Sequence, residues 1–298
     1  MDNKSLTYIF EGSQNGTPLP EILILAQKIN PSVDLGLIEQ IDSDVTALFS
    51  GSSADFKKNT LPYHNLRHSR MVVLAAMRLF HGLHNNHVHI SPETLVKGLF
   101  AAYFHDTGML LEKDDPAPSA AQYIAVHEAR SVRFLNTYLI KNGFSEKIAE
   151  DCATIIYYTD LSKDPTTFAP QSDEIHLAGQ VIGSADILAQ MADRYYLECL
   201  PLLFDEQKTG GANQHDSALE LMAHTTKFYH DVVLKRLTVT FADTSGAMRT
   251  HFRNRYNVDR NLYMENIDKN IAFLKKIIAR CDSITCIKKK LKRIPPST

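Results

Sequence analysis

The stretch Phe100-Ala101-Ala102-Tyr103-Phe104-His105-Asp106 decides how this chain reads. With Leu95, Val96 and Leu99 before it, almost no polar face is left, so the segment reads as a helix buried on most sides. Ser91-Pro92-Glu93-Thr94 supplies an N-cap serine, a proline at the first helical position and an early acid, and Gly108 is expected to stop the helix. An ionised Asp106 at that end faces the negative pole of the helix and loses its hydration, with no adjacent lysine or arginine to offset either penalty. A divalent cation removes both, and His105 offers an imidazole nitrogen beside the carboxylate oxygen.

Helical periodicity extends in both directions from this segment. Upstream, Ile22, Leu23, Ile24, Leu25 and Ile29 mark one helix. Leu35, Leu37, Ile38, Ile41, Val45 and Leu48 mark another, ended by Gly51. A third is expected after Pro62, carrying His64, His68, Val72, Ala75, Ala76, Leu79 and Phe80. Downstream, helical patterns cover Ala120 to Asn142, Ser145 to about Tyr158 and Glu174 to Asp205, and two or three more reach Cys281. Alternating strand-like runs are nearly absent. The expected fold is all-α, with a flexible lead-in over 1–20, one domain over 21–285 and a basic tail over 286–298.

Composition narrows the function classes. At 298 residues, 44% hydrophobic and 22% charged, the chain has ordinary globular content. Its 32 Lys and Arg nearly balance 34 Asp and Glu, so no global field points to nucleic acid or an anionic membrane. No apolar run approaches the roughly 18 to 20 residues that span a bilayer, and the opening residues lack a signal-peptide pattern. The expectation is a cytoplasmic protein acting on a small molecule. Cys152, Cys199, Cys281 and Cys286 make no Cys-x-x-Cys pair and read as mostly buried thiols.

Chemistry-bearing residues recur on separate helices. His64 and His68, four apart, are expected on one helix face. His105-Asp106 ends the buried helix, and Asp186 interrupts the apolar and small-residue run Ile182-Gly183-Ser184-Ala185-Asp186-Ile187-Leu188. Three helices thus carry ligand-type residues where core residues are expected.

In this order, Tyr63-His64-Asn65-Leu66-Arg67-His68, Ala101-Ala102-Tyr103-Phe104-His105-Asp106 and Ser184-Ala185-Asp186 resemble the HD-domain metal-dependent phosphohydrolase superfamily. The Tyr-His-Asn-x-x-His piece is similar to the catalytic domain of cyclic-nucleotide phosphodiesterases. Gln190 to Glu198 resembles uncharacterised bacterial HD-domain proteins more closely. The resemblance implies that His68, His105, Asp106 and Asp186 ligate metal, with Asp106 able to bridge to a second ion, and that His64 is the general acid. It implies one or two divalent ions of the Mn, Fe, Zn or Mg kind. The activity implied is cleavage of a phosphoester, in first place a phosphodiester, in a nucleotide or related small phosphorylated compound. The rivals are a nucleotide phosphomonoesterase or pyrophosphohydrolase, and a metal-dependent nucleotide sensor that turns nothing over.

Two features depart from the cyclic-nucleotide enzymes. Thr107-Gly108-Met109-Leu110 carries no further histidine, and Lys227 to Phe241 holds no glutamine where those enzymes hold the purine. His127 and Glu128 are candidates for a second metal or the phosphate, and Gln190 and Arg194 for the substrate pocket. His176 is a weaker ligand candidate. Arg130 and Arg133 read as anion contacts or a solvated face, and the run Lys288 to Arg293 as solvated. No membrane or nucleic-acid partner is expected, and the long helices leave room for a homodimer.

Overall fold

A computed structural model describes Phe10 and residues 17–295. These residues form twelve α-helices with short 3₁₀ and π segments between them. Among the described residues there is no β-strand, only an isolated antiparallel bridge between Phe56 and Glu112. The all-α expectation holds. No described helix is long and apolar enough to cross a membrane.

The helices are α1 Leu19–Ile29, α2 Leu35–Ser50, α3 Leu66–Asn85, α4 Pro92–Phe104, α5 His127–Lys141 and α6 Glu146–Ile156. They continue with α7 Asp173–Met191, α8 Tyr196–Thr209, α9 Ala218–Phe228, α10 Ala247–Tyr256, α11 Leu262–Ile278 and α12 Ile284–Lys290. Helix α3 is the axis of the fold. Every residue from Val72 to Gly82 is buried, and the helix packs against α1, α4, α7 and α10. Helix α4 is buried from Leu95 to Phe104 except at Val96, and starts as expected: Ser91 Oγ accepts the Thr94 N–H and Pro92 stands at the first position. The αL cap at Gly51, φ 73°, also closes α2 as expected.

Several expected boundaries shift, each for a local reason. The pattern over Ala120 to Asn142 is a 3₁₀ segment, Ala120–Val126, that runs into α5 at His127. Ala120, Ala121 and Ile124 pack with Leu61 and Met109, which seats that segment beside the end of α4. The long helix expected to Asp205 breaks after Met191. There the Asn270 side chain donates to the carbonyls of Met191 (2.9 Å) and Asp193 (3.0 Å), satisfying acceptors that a continuing helix would have used. The break gives α7 and α8 separate axes.

The ends of the domain also differ from expectation. Helix α1 begins inside the expected lead-in, and Phe10 is buried with its ring 4.6 Å from that of Tyr263. The remainder of the lead-in before Thr17 lies outside the described residues. Helix α12 crosses the expected start of the tail, anchored by fully buried Ile287. Cys281 and Cys286 are joined by a disulfide, which corrects the reading of all four cysteines as thiols; Cys152 is a buried thiol and Cys199 a half-buried one. The two joined residues lie only five apart, across the turn between α11 and α12, so the folded turn brings together sulfurs that show no pairing motif in the sequence.

A buried polar knot ties the helices to α3. Arg78, fully buried, donates to both carboxylate oxygens of Glu21 at 3.2 and 3.0 Å, to Phe10 O at 2.8 Å and to Tyr263 Oη at 3.2 Å. His81 and His251 lie next to it, with their Nδ1 atoms 3.3 Å apart. Burial, with Lys28 and His84 adding to it, lowers His81 to about 4. Burial and the Arg78 charge hold His251 well below the ordinary histidine value. An unfolded chain takes up protons at these imidazoles near pH 6.5 and the folded one does not, so this contribution to stability is full above pH 6.5 and is lost as pH falls toward about 4. Thermal melts should therefore show Tm falling across that window, with a shallower fall for His251→Gln; an unchanged slope in the variant would contradict the assignment.

Candidate metal centre and its cavity

Two helix ends and the face of a third helix converge on one point. Asn65 caps α3 by accepting the His68 N–H at 3.1 Å, which fixes His68 in the first turn. Helix α4 ends at Phe104, placing His105 and Asp106 just beyond it, and α7 contributes Asp186 from its inner face. His68 Nε2 stands 3.1 Å from Asp186 Oδ1, 3.5 Å from Asp106 Oδ2 and 3.4 Å from His105 Nε2. His105 Nε2 stands 3.3 Å from Asp106 Oδ2 and 3.7 Å from Asp186 Oδ1. His68, His105 and Asp106 each offer a ligand atom within 4.8 Å of the other two, and Asp186 approaches both histidines from the edge of that trio.

The segment after α4 is held by hydrogen bonds and a close approach. Helix α4 ends at Phe104, four residues before the glycine expected to stop it, and Gly108 lies in a 3₁₀ turn, Thr107–Met109. What its position requires is the missing Cβ, which would lie 2.0 Å from His127 O and 2.8 Å from Arg130 Cβ. That approach brings the start of α5 against the site. Ser131 Oγ donates to His105 O at 2.5 Å and accepts the Gly108 N–H at 2.8 Å, locking the two segments together. His127 Nε2 consequently lies 3.6 Å from Asp106 Oδ1, on the carboxylate oxygen that His68 and His105 do not face. Glu128 follows it, with Oε2 3.3 Å from His127 Nδ1, and burial raises its carboxyl above the ordinary value.

Tautomers follow from the backbone. His105 Nδ1 donates to Ala102 O at 2.9 Å and His127 Nδ1 donates to Ile124 O at 2.7 Å, so in each neutral ring the lone pair is on Nε2 and points at Asp106. A lone pair aimed at a carboxylate is repelled unless a positive charge lies between them. Asp106 is buried and its Oδ2 has no hydrogen-bond partner. Burial pushes the Asp106 carboxyl up, but the imidazoles of His105, His64 and His68 outweigh it and hold it well below the usual carboxylate range. Burial likewise opposes the His105 imidazolium, yet Asp106 and Asp186 raise it to about 9. The donor set and the orphaned oxygen fit a divalent ion: adjacent ligands at about 2.0–2.2 Å from one ion stand about 3.0–3.5 Å apart.

His64 departs from the expected helix face. It precedes the Asn65 cap and lies in the loop, because the asparagine side chain starts the helix at Leu66. Its carbonyl accepts from Asn59 Nδ2 at 2.7 Å, and its Nδ1 donates to Glu206 Oε2 at 2.6 Å, while the other Glu206 oxygen accepts the Tyr63 N–H at 2.6 Å. Burial opposes charging His64, but the hydrogen bond to Glu206 and the nearby Asp106 raise its pKa above the ordinary value. Glu206, on α8 and 142 residues from its partner, carries no local signature in the sequence. The sequence pattern does not single it out, whereas Tyr63, part of the Tyr-His-Asn-x-x-His stretch, lies beside the site with a buried hydroxyl that has no hydrogen-bond partner.

Tyr63, His64, His68, His105, Asp106, His127, Glu128 and Asp186 line a cavity of about 660 Å³, with Glu206 behind His64 and outside that lining. Gln190 lines it as expected, together with Gln207 and Gln214, and its mouth carries the exposed apolar side chains Leu161, Phe228 and Val232. Arg194 is not among the lining residues; its carbonyl accepts from Arg293 at 2.6 Å, because the break after α7 turns it away. His176 is engaged instead with Tyr158 Oη at 2.7 Å. Arg130 donates to the carbonyls of Gly108 and Leu110, and Arg133 pairs with Glu112, so both support the segment after α4.

A family model described as Npun_R2479-like matches residues 54–245, more than half of the chain, and the chain belongs to that family. The matched span contains every residue of the cluster and both members of the His64–Glu206 pair. No curated protein matches the chain.

The pairing predicts that Glu206→Gln lowers the His64 pKa, since a neutral amide no longer favours the imidazolium. Following the ring resonances by NMR against pH checks it; an unmoved titration would show that Glu206 does not set this histidine's protonation.

Proposed function

We propose that this member of the Npun_R2479-like family is a metal-dependent phosphohydrolase of the HD-domain kind, cleaving a phosphodiester in a nucleotide or related small phosphorylated compound. The observation that carries this reading is the convergence of His68, His105 and Asp106, with the Nε2 atoms of His105 and His127 facing a buried carboxylate that has an unpartnered oxygen. His68, His105, Asp106 and Asp186 would hold the ion, and His127 with the second Asp106 oxygen would serve a second one. Such an ion polarises a phosphoryl oxygen and acidifies water.

The remaining work falls to the chain itself. Glu206 fixes His64 with its proton on Nδ1 and favours a second proton on Nε2. In hydrolysis the phosphorus gains an oxygen from water and loses the ester oxygen, and the His64 Nε2 proton passes to that departing oxygen. The ring recovers its proton from solvent through the cavity mouth. The glutamine amides of Gln190, Gln207 and Gln214 supply donors and acceptors for a polar heterocycle, and Leu161, Phe228 and Val232 an apolar wall. These residues take the place of the glutamine absent from Lys227 to Phe241.

The test is hydrolysis of bis-para-nitrophenyl phosphate and para-nitrophenyl phosphate with added manganese, with metal content measured on the same samples. Wild type is expected to cleave the diester, Asp106→Ala to lose both metal and activity, and His64→Ala to keep metal while losing about 10²–10⁴-fold in rate. Cleavage of the monoester alone moves the assignment to a phosphomonoesterase. Bound metal with no turnover of either ester, and no effect of His64→Ala, would point to a sensor.

A further inference from the structure

A second group of metal-type donors lies at the far side of the same cavity, on residues that the buried cluster does not use. His215 comes from the segment after α8, and Glu220 and His224 from successive turns of α9. Spaced four apart on the helix, Glu220 and His224 share a face. The Nδ1 atoms of His215 and His224 are 3.3 Å apart, and His224 Nδ1 is 4.0 Å from Glu220 Oε1. One donor atom from each of the three residues lies within 4.8 Å of the other two.

We propose that His215, Glu220 and His224 form a transition-metal site that takes one zinc-class divalent ion. Two nitrogens bound at about 2.0–2.1 Å to one tetrahedral ion stand about 3.3–3.4 Å apart, which is the separation found between the two Nδ1 atoms. Glu220 is already oriented for the third position. Its Oε2 accepts the Asp216 N–H at 2.7 Å, which turns Oε1 toward the histidines. Ser217 caps the helix by accepting the Glu220 N–H at 3.2 Å, and Asn213 Nδ2 donates to His215 O at 3.1 Å, so both chain segments that carry ligands are shaped locally. Two nitrogens and one carboxylate oxygen make a donor set for zinc rather than for magnesium or calcium, which favour all-oxygen sites.

Three protein ligands leave a fourth position open, as in zinc sites that bind an exogenous ligand. His215 and His224 line the cavity that also holds His64 and Asp106, so that position belongs to the cavity rather than to an unrelated surface. An ion there would join the segment after α8 to α9 and offer a cationic contact to an anionic group of the cavity's occupant, at a distance from the buried cluster. The proposal stands on these three side chains alone and does not depend on phosphohydrolase activity.

The test is zinc titration of the full chain by calorimetry in a His68→Ala/His105→Ala/Asp106→Asn background, which leaves the buried cluster a single carboxylate and the rim intact. That protein is expected to bind one equivalent of zinc. His215→Ala and His224→Ala, each added to it, are expected to abolish that equivalent. Glu220→Gln, which can still accept the Asp216 N–H, is expected to weaken it. All three rim substitutions fall on surface or half-exposed positions, and circular dichroism reports whether the helices persist. Absence of zinc binding in that background protein, or binding that survives both histidine substitutions, would overturn the proposal.

Discussion

A buried carboxylate surrounded by imidazoles is the constraint on which the rest of the structure depends. Removing a carboxylate from water costs several kcal/mol even after the surroundings relax, so Asp106 stays ionised only if positive charge is supplied next to it. The chain supplies His68, His105 and His127 from three different helices and no lysine or arginine. Imidazoles can act in two ways: as protonated partners, or as neutral ligands that hand the task to an ion. The backbone acceptors at Ala102 and Ile124 are satisfied in either case; what they fix is that Nε2, of both His105 and His127, is the nitrogen facing the carboxylate.

Holding that arrangement requires a rigid frame, and the frame is built from close packing around α3. Its buried run from Val72 to Gly82 fixes the direction from which His68 enters, and Arg78 and Glu21 join α1, α10 and α11 to it by hydrogen bonds. Gly108 lets α5 approach until backbone touches backbone, and Ser131 fastens the contact. A side chain at position 108 would move His127 outward, so the absence of a Cβ there is part of the site.

The sequence made some of this legible and could not show the rest. The buried helix ending in His105-Asp106 could be read because an apolar run interrupted by ligand-type residues is a local pattern, and the same holds for Asp186 within Ile182 to Leu188. His64 was assigned to a helix face because periodicity does not show where a cap will form; Asn65 takes that role and leaves His64 in the loop. The Glu206 partner depends on α8 folding back 142 residues later, a contact no local pattern encodes. The periodicity places Arg194 on a continuous helix, whereas the helix breaks after Met191, where Asn270, some eighty residues downstream, satisfies the freed carbonyls. Helix existence is a local property, whereas caps, breaks and side-chain partners are set by tertiary contacts.

The most direct measurement is anomalous X-ray scattering from crystals equilibrated with manganese. The account predicts a peak within about 2.0–2.3 Å of His68 Nε2, His105 Nε2, Asp106 Oδ2 and Asp186 Oδ1. A site without a peak at saturating manganese, with His105 instead hydrogen-bonded to Asp106 as an imidazolium, would contradict it.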